Sequence, residues 1–128
     1  MELKMLAWSA ALCVVLFAPY VLARLAFWGL LDTVGYPENP PQLPAWARRA
    51  YRAHMNMVEN LAPFAALVLV AHAAGVSNSA TALGAQLFFW SRVLHAVVFI
   101  AGIPWVRTLA FVGGVVGMAI IFVQIIAS

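Results

Sequence analysis

Arg48-Arg49-Ala50-Tyr51-Arg52-Ala53-His54-Met55-Asn56-Met57-Val58-Glu59-Asn60 runs without a break into the apolar segment Leu61 to Ala74. The stretch gathers three arginines, a histidine, two asparagines and a glutamate in a chain that is 66% hydrophobic and only 9% charged. Ionisable groups at the edge of a membrane helix, or inside it, are costly unless paired, and they mark functional sites. The polar start and apolar continuation read as one helix that enters a bilayer.

The apolar part of that helix is one of four such runs: Leu6 to Leu31, Met55 to Ala74, Ala80 to Ile103 and Trp105 to Ile126. Each reaches the roughly 20 residues that cross about 30 Å of hydrocarbon as a helix. The mean hydropathy is +0.97, and little of the 128-residue chain remains outside the runs. The expected fold is therefore an all-α integral membrane protein, a four-transmembrane-helix bundle forming one domain over residues 1–128. The first run is too long for a secretory signal, its basic flank is Lys4 alone, and it carries Pro19 and Arg24, so it reads as a retained helix. Cys13 is the only cysteine and has no partner for an intrachain disulfide. The pI of about 9.6 does not point to nucleic acid, because the basic residues adjoin membrane segments. No metal-ligand spacing stands out.

Asp32 to Pro44 carries Gly35 and four prolines, which deny the backbone its helical donors, so it reads as the longest loop. Pro44 sits where a first-turn proline would start the second helix. Gly75-Val76-Ser77-Asn78-Ser79 reads as a short turn, with Gly75 closing the second helix and Ser77 or Ser79 capping the third. Gly102 and Pro104 make an abrupt reversal into the fourth. Arg48, Arg49, Arg52 and Arg107 lie on the side of the first and third loops, with Arg24 towards it, and the other side holds only Lys4. The bias of Lys and Arg towards cytoplasmic loops places those loops in the cytoplasm and both termini on the opposite face.

Helical rise places the polar residues at one level. Glu59 comes about 8 Å below the cytoplasmic surface and Arg92 about 12 Å, with Arg107 one turn into the fourth helix. Arg49, Arg52, Asn56, Glu59 and Pro63 share one stripe of the second helix by their three- and four-residue spacing. Arg92, His95 and Phe99 do so on the third, and Arg107 and Phe111 on the fourth. Several arginines facing a carboxylate and an amide suit an anionic ligand with polar ends, such as a zwitterionic peptide, since guanidinium forks bind carboxylates. A nearby guanidinium would also favour a ligand's thiolate. A plainer reading makes Glu59 and Arg92 a buried ion pair that fixes helix register. Arg48 and Arg49 read as headgroup contacts, Tyr20, Trp46 and Trp105 as belt aromatics, and His72 as a packing or interfacial residue. Gly113, Gly114 and Gly117 read as a small-residue packing face. A small multidrug transporter would place a single carboxylate near mid-membrane, unlike this shallow arginine-rich layer.

Arg52-Ala53-His54-Met55-Asn56-Met57-Val58-Glu59 followed by Pro63-Phe64 resembles the second-helix signature of the MAPEG superfamily, the membrane-associated proteins in eicosanoid and glutathione metabolism. Its Arg-Ala-x-x-Asn-x-x-Glu core matches in full. Arg92-Val93-Leu94-His95, and Pro104 followed by Arg107-Thr108, resemble the third and fourth helices of its microsomal prostaglandin E synthase. The chain is thus similar to a bacterial-type member of the glutathione transferase and prostaglandin E synthase branch. The resemblance implies a homotrimer with glutathione bound between adjacent subunits, and a lipophilic substrate or membrane lipid as the second partner. It implies glutathione contacts from Arg52, Asn56 and Glu59, from Arg92 and His95, and from Thr108, with Arg107 holding the thiolate. His54, which points elsewhere on the second helix, and Arg24 of the first complete the implied set. Phe99 and Phe111 stand where that synthase has tyrosines, and Met55 where it has a further arginine. These departures leave open a non-catalytic lipid-binding or scaffold protein of the same fold.

Overall fold

The computed structural model describes residues 1–128. It holds six helices and no strand: α1 (Glu2–Val15), α2 (Ala18–Trp28), α3 (Leu30–Val34), α4 (Ala45–Ala73), α5 (Ser79–Ala101) and α6 (Pro104–Ala127). Four helical segments are long and apolar enough to cross a membrane: the joined α1–α2, then α4, α5 and α6. This is the multi-pass all-α fold expected from the four apolar runs.

The first run departs from expectation in two places. It is not one continuous helix, because Pro19 has no N–H for the carbonyl of Val15 and its ring crowds that carbonyl. The chain tightens at Leu16 and Phe17, where the Phe17 N–H reaches the Val14 carbonyl at 3.4 Å, and then resumes as α2. The span also ends at Trp28 rather than near Leu31, and a single short helix, α3, follows. The loop behind it is fastened back: Trp28 Nε1 donates to the Pro41 carbonyl at 2.8 Å.

Pro44 is the cap residue before α4, not its first turn. Pro63 sits inside α4 and leaves the Glu59 carbonyl without its helical donor, yet the helix continues. The cap of α5 is Asn78, not Ser77 or Ser79. Asn78 Oδ1 accepts from the Thr81 N–H at 2.9 Å, and Thr81 Oγ1 accepts from the Asn78 N–H at 2.9 Å. This reciprocal box satisfies two donors at once, which neither serine achieves. At the other end of α5, Gly102 takes φ +81°, a left-handed turn that only glycine enters cheaply, and Pro104 opens α6.

α5 and α6 thus form a tight antiparallel hairpin. At Gly117 a Cβ would lie 2.5 Å from the Gly84 carbonyl and 2.9 Å from the Phe88 nitrogen, so the two backbones meet where neither helix has a side chain. This is the close packing expected of the small-residue face. The core lies between α1, α4, α5 and α6, where Phe64 and Phe88 stack with centroids 3.9 Å apart above Met57, Val68 and Ile121. Trp8, Leu22, Trp90, Trp105, Leu109 and Phe122 point outward. Outward apolar side chains are what a bilayer solvates.

Candidate functional site

Near the loop-one end of the bundle, α4, α5 and α6 send polar side chains to a common hollow of about 240 Å³. Arg52 and Asn56 reach it from α4, His95 and Phe99 from α5, and Arg107, Thr108 and Phe111 from α6. A second hollow of about 260 Å³ shares Arg52, Asn56 and Phe99 with it and adds Tyr51, Met55 and Glu59. The two hollows adjoin along α4 at the shared Arg52, Asn56 and Phe99 side chains and together make up the trough. Glu59, Arg52 and Thr108 are exposed on the single chain, so the trough is open on its outer side.

Under the trough lies Arg92, 1% exposed and the largest fully buried side chain. Its Nη2 donates to Asn56 Oδ1 at 2.7 Å. The same amide accepts a longer bond, at 3.4 Å, from Asn60 Nδ2, which also donates to the Asn56 carbonyl at 2.8 Å. With its oxygen committed to the guanidinium, Asn56 has only its amide protons to offer a guest. Arg92 Nε and Nη1 and His95 Nδ1 are buried with no partner. The Glu59–Arg92 ion pair of the plainer reading does not form: the one ion pair in the chain joins the amino terminus to Glu2 at 3.8 Å. Every guanidinium therefore lacks a carboxylate of its own.

Two of them lean on one ring instead. Arg107 Cζ lies 5.0 Å from the Phe99 centroid and Arg52 Cζ 5.6 Å. Thr108 donates back to the Pro104 carbonyl at 3.3 Å.

Arg24 and His54 lie away from this trough. Arg24 Cζ sits 5.0 Å from the Tyr20 ring, 5.3 Å from Trp28 and 5.6 Å from Tyr51. It lines a third hollow of about 500 Å³ with Arg48 and the latched loop, which borders the Glu59 hollow at Tyr51 and Arg52. His54 Nδ1 lies 2.7 Å from the Tyr20 hydroxyl. Tyr20 is buried in that contact and is not a belt aromatic. Arg49, read as a headgroup contact, is also tied into the fold: its Nε donates to the Ile100 carbonyl at 2.9 Å and satisfies the last turn of α5.

Two neighbours were missed in the sequence. Tyr51 lines both the Glu59 hollow and the Arg24 hollow and packs edge-on against Tyr20 at 5.2 Å. Its position three residues after Arg48 was the available signal. Asn60 supports Asn56 one turn on, also at helical spacing.

The sequence model described as the MAPEG family matches residues 5–127. No curated protein and no solved structure matches the chain significantly.

Proposed function

The chain belongs to the MAPEG family, and on that premise we propose a membrane-bound, glutathione-dependent transferase or peroxidase that acts on lipophilic electrophiles. The observation that carries this reading is the trough itself. Arg52 and Arg107 face it from two helices with no carboxylate to neutralise them, while Glu59 lines its far part. A tripeptide with two carboxylates and one ammonium matches that separation of charge: the carboxylates on guanidinium forks, the ammonium at Glu59. Each hollow alone is smaller than the roughly 300 Å³ at which ligand pockets begin, so such a guest would span both.

In this reading the whole chain is one functional domain, and Arg107 holds the sulfur as thiolate by the positive charge beside it. The thiol proton leaves to water, the sulfur lone pair forms the new bond to carbon, and the leaving group departs with its electron pair. Asn56 donates its amide protons to the peptide, and Thr108 borders the sulfur end. The electrophile enters laterally from the bilayer past Phe111. The open outer side of the trough would be closed by a neighbouring copy, in a homotrimer whose subunits share each site; Arg24 and His54 then serve from the adjoining surface. The Lys and Arg bias puts loops one and three, and the mouth of the trough, in the cytoplasm.

Phe99, Phe111 and the inward-bonded Thr108 give the trough few hydroxyl donors. That favours a second reading, a lipid-binding protein of the same fold without turnover. Conjugation of glutathione to a chlorodinitrobenzene-type electrophile by purified protein in nanodiscs separates the two. The transferase reading expects turnover that falls about a hundredfold or more in Arg107→Ala, the scale of a lost transition-state charge contact. Turnover equal in Arg107→Ala and the parent removes Arg107 from the mechanism. No turnover beside tight lipid retention supports the second reading.

A further inference from the structure

Phe99 is the point at which two like charges from different helices meet. Arg52 comes from α4, Arg107 from α6 and the ring from α5. Both guanidinium carbons lie within 5.6 Å of one ring centroid, so they are no farther apart than the sum of their two distances to it. Neither has a carboxylate within ion-pair reach. Like charges at that separation repel, and more strongly where protein and lipid displace water. An aromatic face carries negative quadrupole density that attracts a cation, most effectively in a desolvated site. The ring is itself held: Phe99 is buried, and the His95 ring packs against it at 5.3 Å. It also borders both halves of the trough.

We infer that Phe99 is a positioning residue whose ring gathers the Arg52 and Arg107 side chains and aims both guanidiniums into the trough. The role needs the face of an aromatic ring and no hydroxyl. A branched aliphatic side chain of similar size fills the space but leaves the two cations free to separate towards headgroups and water.

The first arm of the test needs no ligand. Nuclei above an aromatic ring resonate upfield, so arginine side-chain NMR on the isotope-labelled full chain in nanodiscs reads the arrangement directly. The Arg52 and Arg107 signals are identified by their loss in Arg52→Lys and Arg107→Lys. Both are expected upfield in the parent and in Phe99→Tyr, and both are expected to return together to solvent-like positions in Phe99→Leu. Unshifted signals in the parent overturn the inference, and this measurement stands even if Phe99→Leu does not fold. Signals that stay upfield in a folded Phe99→Leu overturn it as well. The second arm rests on the glutathione reading. Calorimetric titration with glutathione sulfonate is expected to weaken about tenfold in Phe99→Leu, the scale of two such contacts, and to recover in Phe99→Tyr. In an Arg107→Ala background the Phe99→Leu effect is expected to shrink. An undiminished effect there points to bulk alone and overturns the inference. A parent that shows upfield arginines and binds no glutathione sulfonate refutes the glutathione reading and leaves the role of the ring standing.

Discussion

Replacing Asn56 with leucine tests the floor of the trough. Asn56 Oδ1 is the only acceptor that Arg92 has, at 2.7 Å, and Arg92 is 1% exposed with Nε and Nη1 already unpartnered. Removing one partner of a buried hydrogen bond leaves the other to bear its desolvation alone, which costs about 1–3 kcal/mol and more where the stranded group is charged. Arg92 is charged and 1% exposed, so the upper end of that range applies. For a chain of this length about 3 kcal/mol corresponds to a fall of about 10 °C in Tm. Replacing both partners with apolar groups of similar shape removes the stranded charge, so Asn56→Leu with Arg92→Met should recover most of the loss. The assay is thermal unfolding of parent, both single variants and the double variant, in the same lipid nanodisc. The reasoning is refuted if Asn56→Leu melts with the parent, or if the double variant melts no higher than Asn56→Leu.

Three further outcomes concern packing and the loop. Gly117→Ala places a Cβ 2.5 Å from the Gly84 carbonyl, so the α5–α6 hairpin must part, and a loss of about 1–3 kcal/mol is expected in thermal unfolding. Gly114→Ala, whose Cβ would meet Arg92 Cδ at an ordinary 3.5 Å, should stay within about 1 kcal/mol of the parent. Trp28→Phe removes the donor to the Pro41 carbonyl, a net loss of about 1 kcal/mol, so a protease that cuts between residues 35 and 44 should do so about fivefold faster.

The four spans were legible because hydrocarbon demands long apolar helices, and that demand is written in runs of twenty residues. What stayed hidden was decided by local competition. Pro19 was visible, but run length alone does not say whether a proline bends a helix or splits it. Asn78 outcompeted its flanking serines because Thr81, three residues on, completes a reciprocal box with it. The three- and four-residue spacings brought Arg52, Asn56, His95, Phe99 and Arg107 to the right faces, and the structure gathers them around one hollow. Which acceptor Arg92 takes was not legible. Asn56 and Glu59 share a face of α4 one turn apart, and a long arginine stem can reach either; it bonds Asn56. The bond from Arg49 to α5 was not legible, because a sequence does not show that the end of α5, with its open carbonyl at Ile100, lies beside it. The aromatic surroundings of Arg24 were equally invisible, since Tyr20, Trp28 and Tyr51 meet only after α2 docks on α4.

The most direct measurement of the central claim is a density map of the protein in nanodiscs at saturating glutathione. The account expects elongated density along α4, with one end against the Arg52 and Arg107 guanidiniums and the other beside Glu59. A well-ordered map with that trough empty, or with those guanidiniums turned out among the lipid headgroups, contradicts it.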